Sequence, residues 1–126
     1  MGGKQARKRG LQYERDVAAF ARDCGLSVRK VERVGYHNDP GDLVGPSIEE
    51  FFLDCKKRTK MELGYWLDDA DAEAEATGRM FGAVIHHRRG KPRSQDYVSM
   101  SAETFWRLVA YINELKEGED NDLGAC

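Results

Sequence analysis

Four residues in the first half of the chain have types and spacing that can do chemistry: Glu14, Asp42, Asp54 and Lys56. The segment Phe52-Leu-Asp-Cys-Lys56 holds two of them. In an extended strand, residues two apart share a face and stand about 6.8 Å from one another. Asp54 and Lys56 therefore project side by side, while Phe51, Leu53 and Cys55 turn to the opposite face, which is expected to be core. An acid and a base on one face can be no more than an exposed ion pair. Asp42 adds something further. It follows Pro40-Gly41, opens the preceding extended segment and lies twelve residues before Asp54. Two antiparallel neighbours joined by a tight turn bring these carboxylates together, and they repel unless positive charge lies between them. A divalent cation meets that need, and hard Mg²⁺ prefers oxygen ligands. The Cys55 backbone carbonyl can add another. Lys56 beside the ion would orient or help deprotonate an attacking water, or stabilise charge building on a phosphate. Glu14 completes the set at the edge of an apolar surface made by Leu11, Val17, Ala18 and Ala21. Its plainer role is an ion pair with Arg7 or Lys8.

The elements that must position these groups follow from periodicity. Tyr13, Val17, Phe20 and Cys24 fall at i, i+4, i+7 and i+11, which predicts a helix over Gln5–Cys24 that Gly25 stops. Leu26–Val34 reads as a strand and 35–41 as a loop dense in turn formers. Short strands over Asp42–Gly45 and Glu50–Lys57 come next, then a helix over Gly64–Thr77 with Leu67, Ala70, Ala74 and Thr77 on one face. Met80–His87 reads as a buried strand, Arg88–Gln95 as a hairpin loop and Asp96–Met100 as the returning strand. Ser101 suits the N-cap of a last helix whose stripe is Phe105, Leu108, Val109, Ile112 and Leu115. The order α-β-β-β-α-β-β-α predicts an α/β domain, one mixed β-sheet flanked by helices.

A chain of 126 residues, 40% hydrophobic and 33% charged, is expected to form a single domain with one modest core. No apolar stretch approaches the roughly 20 residues that span a bilayer, so no membrane association is expected. The basic N-terminus lacks the apolar run of a secretory signal. Cys24, Cys55 and Cys126 show no zinc-type spacing, and reduced thiols with a cytoplasmic location are the expectation. The net charge of −2 conceals segregation: residues 117–126 hold four acids and no base, so the remainder carries +2. Bases gather at Lys4, Arg7, Lys8 and Arg9, at Lys56, Lys57, Arg58 and Lys60, and at Arg88, Arg89, Lys91 and Arg93. Such runs usually mean a solvated mixed surface, and three of them raise a polyanionic partner to an equal reading. His86 and His87 are adjacent on a predicted strand, face opposite ways and cannot chelate one metal together.

The arrangement resembles the PD-(D/E)XK nuclease superfamily: a glutamate on the first helix, then Pro-Gly-Asp, then Asp-x-Lys on the next strand. Within it, the chain is most similar to small Holliday junction resolvases of archaeal and phage type. Those share a basic start, Gly-x-x-x-Glu on a helix (here Gly10-Leu-Gln-Tyr-Glu14) and an acid-x-lysine strand followed by bases (here Asp54-Cys-Lys-Lys-Arg58). The resemblance covers roughly residues 7–110. Gly41 separates Pro40 from Asp42, which leaves Asp39 as an alternative acid, and Asp54 stands where glutamate is commoner.

The resemblance implies a restriction-endonuclease-like fold and Mg²⁺ (or Mn²⁺) held by Glu14, Asp42, Asp54 and the Cys55 carbonyl. Lys56 would be the catalytic lysine. It implies a Mg²⁺-dependent endonuclease that resolves branched DNA, the four-way junction, by paired symmetric cuts. Paired cuts imply a homodimer. Phosphate contacts are expected from Lys4, Arg7, Lys8, Arg9, Lys57, Arg58, Arg88, Arg89, Lys91 and Arg93, with Tyr36 and His37 near an opened junction. Residues 1–10 are expected to form a basic arm ordered on binding, 11–116 the nuclease domain and 117–126 a disordered acidic tail. Competing readings are a flap, repair or restriction-like nuclease of the same fold, a catalytically silent DNA-binding module, and a small protein-interaction domain.

Overall fold

In the computed structural model, residues 2–32 and 40–124 are described. Helix α1 (Gly2–Asp23) leads into a five-stranded sheet of β1 (Arg29–Lys30), β2 (Leu43–Val44), β3 (Phe51–Lys56), β4 (Phe81–His86) and β5 (Tyr97–Ser99). Helix α2 (Leu63–Ala76) joins β3 to β4, and α3 (Ala102–Gly124) closes the chain. Spatial order follows chain order, β1-β2-β3-β4-β5. Only β3 and β4 run parallel, because α2 carries the chain back between them; the other pairings are antiparallel. The expected α/β order with a mixed sheet is the observed one. Among the described residues no helix is long and apolar enough to cross a membrane.

Alternation along β3 sends side chains into two cores. Leu53, with Phe51 and Cys55, packs among Tyr13, Val17 and Ala18 of α1. Phe52 packs on the other face beneath Trp66, Ala70 and Ala74 of α2. The face that carries Asp54 is therefore core as well as the face expected to be. α2 lies close on β4. A Cβ added at Gly82 would stand 2.6 Å from the Ala70 carbonyl oxygen.

Three boundaries differ from those the sequence predicts. α1 starts at Gly2, so the basic segment expected to be a flexible arm is helical. Its Lys, Gln, Ala and Arg residues are good helix formers with no proline among them. α3 runs to Gly124 through most of the expected disordered tail, although Gly118, Asp120, Asn121 and Asp122 are weak helix formers. The strand expected over Leu26–Val34 is regular only at Arg29–Lys30, although the Val31 N–H still donates to the Asp42 carbonyl at 2.9 Å. The end of that strand, the loop with Tyr36, His37 and Asp39, and Cys126 lie outside the described residues.

The Ser101 hydroxyl caps α3 as expected, accepting the Thr104 N–H at 3.1 Å. Thr104 then donates to Asp71 of α2, and Tyr111 meets the Phe81 ring edge-on. Beyond that contact the helix projects, and Ile112 and Leu115 of its stripe are exposed.

The close approach at Gly82 yields a prediction. Gly82→Ala forces α2 off the sheet and destabilises the fold by roughly 1–3 kcal/mol, as overpacking does. Urea unfolding followed by circular dichroism reads the shift. A midpoint equal to the wild type's refutes the close contact.

Candidate functional site

The site forms where the sheet opens beside β3. Leu43 of β2 pairs with Leu53, and the Asp42 N–H donates to the Leu53 carbonyl at 2.8 Å. Gly41 makes this turn with φ of 95°, and a Cβ there would lie 2.9 Å from the Leu53 oxygen. One step further along β3, the Cys55 N–H meets a side chain: Asp42 Oδ2 accepts it at 2.7 Å. An amide needs an acceptor, and a carboxylate supplies a strong one. The N–H and C=O of one strand residue point to the same edge, so the Cys55 carbonyl faces the Asp42 side too.

Asp42 and Asp54 are both buried, at 4% and 8% exposure, against the strong preference of carboxylates for water. Asp54 occupies the face of β3 that Phe52 shares with α2, and Lys56 follows it two residues on, half-buried at the strand end. Glu14 is also buried, at 5% exposure. It rides on α1, which packs on the opposite face with Leu53 and Cys55. The structure thus brings Asp42 against the Asp54–Cys55 backbone, and it buries Glu14 on α1. Among the described residues no three His, Cys, Asp or Glu side chains are gathered closely enough to hold one ion. The oxygens that suit a hard cation are those of Asp42, Asp54 and the Cys55 carbonyl.

The basic groups divide. Lys4, Arg7, Lys8 and Arg9 on α1, Lys57 and Arg58 after β3, and Arg89 and Lys91 in the hairpin are exposed. Arg88 stacks over the Tyr97 ring at 5.5 Å. Arg93, also expected among the phosphate contacts, turns inward. Its Nε lies 3.3 Å from Asp96 Oδ2, its Nη2 lies 2.7 Å from His87 Nδ1, and its guanidinium covers the Tyr13 ring at 5.1 Å.

That inward turn belongs to a polar cluster that sequence reasoning missed. Asp96 sits at its centre with a side chain only 4% exposed. Its Oδ2 accepts the Tyr13 hydroxyl at 2.8 Å, and its Oδ1 accepts the Arg88 N–H at 3.1 Å. Burial, then the Asp96 hydrogen bond and charge, push the Tyr13 phenol well above its usual value, so it stays protonated as a donor. Tyr13 and Asp96 are 83 residues apart, and no local spacing signals their meeting. His87 also donates its backbone N–H to the Lys56 carbonyl at 3.0 Å, which fixes the end of β3 to the hairpin. Neighbouring His86 faces the other way, against Trp66 and Tyr97, with Nε2 at 2.8 Å from the Ser99 hydroxyl. Burial lowers its proton affinity, and the Asp96 charge partly opposes this.

No protein-family model, curated protein or solved structure matches this chain.

Two outcomes follow from these contacts. Tyr13→Phe removes a hydrogen bond to a charged acceptor and lowers stability by about 1–3 kcal/mol, read as a urea midpoint; an unchanged midpoint refutes the bond's contribution. His86 has a depressed proton affinity in the fold, so the unfolded chain binds more protons below the ordinary histidine value of about 6.5. Stability is then fully present above that pH and declines as pH falls below it. His86→Gln flattens the decline between pH 7.5 and 5, and equal slopes in the two proteins contradict the assignment.

Proposed function

We propose that this protein is a Mg²⁺-dependent DNA endonuclease, and that its substrate is the four-way junction. The observation that carries the reading is the seating of the Asp42 carboxylate on the Cys55 N–H. It puts two buried acids and a lysine at one end of β3, where the sheet opens. Burying carboxylates opposes folding, and such groups collect at functional sites. Exposed bases lie on the segments that follow and flank this end, Lys57 and Arg58 after β3 and Arg89 and Lys91 after β4. Such groups neutralise phosphates and hold a nucleic-acid backbone in register.

In this reading Asp42, Asp54 and the Cys55 carbonyl hold the metal. Mg²⁺ (or Mn²⁺) supplies Lewis acidity toward a phosphate oxygen and lowers the pKa of a water when bound. The chain's own groups do the rest. Lys56 places a positive charge where negative charge grows on the phosphate, and it orients the water that attacks. Asp42, held by the Cys55 amide, and Asp54, fixed within the sheet, are preorganised. In the same reading Glu14, buried on α1, assists these two acids. Junction resolution needs two cuts related by a two-fold axis, so the working unit is a homodimer.

The test is cleavage of a labelled synthetic four-way junction beside a linear duplex of the same sequence, in Mg²⁺ and in EDTA. Paired symmetric nicks are expected on the junction alone, absent in EDTA. Asp54→Asn and Lys56→Ala each reduce the rate by roughly 10²-fold or more. Equal cutting of both substrates replaces the junction assignment with a general nuclease of this type. Tight binding without cutting in any divalent metal replaces the enzyme with a DNA-binding module.

A further inference from the structure

We propose that His87 is a proton-operated latch on Arg93, which acidification opens to add positive charge to the hairpin surface. The observation is a single nitrogen with two suitors. His87 Nδ1 lies 2.7 Å from Arg93 Nη2 and 3.1 Å from Asp96 Oδ1. Arginine only donates and an ionised aspartate only accepts, so one nitrogen cannot satisfy both. With a bare lone pair, Nδ1 accepts from Arg93 and stands against the Asp96 oxygen. With a proton, Nδ1 donates to Asp96 and points an N–H at the guanidinium.

The shorter approach is to Arg93, and a bond there requires a bare Nδ1 with the ring proton on Nε2. Taking up a proton there places a cation within hydrogen-bond distance of another cation. Asp96 must then share its one charge between the imidazolium and Arg93. What remains for Arg93 is its place over the Tyr13 ring, the Nε approach to Asp96 at 3.3 Å and the bond from Nη2 to the Lys91 carbonyl at 3.2 Å. The two polar contacts are longer than the 2.7 Å bond to Nδ1 that protonation breaks, and Arg93 is already 22% exposed.

Charged and titratable groups reach His87 from the hairpin, from α1 and from β3. Asp96, Arg93 and Arg88 come from the hairpin between β4 and β5. Tyr13 comes from α1, its ring 5.6 Å from the imidazole, with Cys55 of β3 near enough to act on its phenol. Lys56 of β3 meets the His87 backbone through its carbonyl. Asp96 is the anion among them, so whichever cation it serves decides where the other goes. Histidine is the side chain that ordinarily changes charge between pH 5 and 8. Once loosened, Arg93 joins Arg89 and Lys91, which are exposed on the same hairpin. The latch thus makes polyanion binding by the hairpin depend on pH, whatever the polyanion is.

The test uses the whole chain, with heparin as the probe, so it needs neither nuclease activity nor metal. In ¹⁵N spectra at pH 8, His87 is expected as the Nε2–H tautomer. On acidification its Nδ1 takes the proton, and in the same pH range the Arg93 side-chain N–H signals shift and exchange faster. Heparin affinity rises from pH 8 to pH 5 by several-fold more in the wild type than in Arg93→Gln or His87→Asn. Circular dichroism at both pH values confirms that each variant is folded. Arg93 signals that stay fixed while His87 titrates overturn the latch. So does a pH response in Arg93→Gln equal to the wild type's. A failure here leaves the junction-cleavage test untouched, and the reverse holds too.

Discussion

The amide of Cys55 has to find an acceptor where β2 no longer runs beside it, and much of the candidate site depends on how it does so. The acceptor is a side chain, the carboxylate of Asp42. That choice holds an acid inside the fold at the point where two strands part. It also orients the acid, because an oxygen that accepts a strand amide at 2.7 Å has little rotational freedom. Gly41 makes the approach possible, since its turn brings the chain almost onto the Leu53 backbone. Asp54 and Lys56 then follow from strand alternation on a segment whose two faces are both packed. A replacement at Asp42 therefore loses a sheet contact together with a charge.

A second polar centre braces the same end of the sheet from the α1 side. Asp96 gathers Tyr13, His87, Arg93 and the Arg88 amide. It joins the first helix to the last hairpin, two parts of the chain that strand pairing does not connect. The two centres meet at Lys56, whose carbonyl takes the His87 N–H. Low exposure strengthens each contact in the group and penalises any member left without its partner.

The pattern of elements is legible in the sequence because most of it is local. Strands β3 and β4, helix α2 and the Ser101 cap lie within a residue or two of their predicted places, since apolar periodicity and capping act over a few positions. The meeting of Asp42 with the Asp54–Cys55 segment is also legible, from a turn and an antiparallel neighbour. What the sequence conceals is long-range or depends on the surroundings. Arg93 shares a basic hairpin with Arg89, yet it turns inward because Asp96 and Tyr13 await it there. Alternation puts Phe52 on the site's face, and it cannot foresee that α2 covers that face. Glu14 reads as a partly buried acid, and it is buried. The layer it occupies depends on how α1 docks, and that docking is a tertiary fact.

Helix α3 has a consequence of another kind. Its first half is fastened by the Thr104–Asp71 bond and the Tyr111–Phe81 contact, and every residue from Ile112 to Glu119 is exposed. Tertiary packing therefore supports the helix only to about its midpoint. Past it, helicity rests on local propensity and on hydrogen bonds that water can reach, and such segments open with little free energy. Backbone amides along α3 should then form a gradient of protection against deuterium exchange, slow near Thr104 and Tyr111 and fast toward Glu119. One continuous helix would behave as two cooperative units, a docked half that melts with the sheet and a projecting half that frays independently.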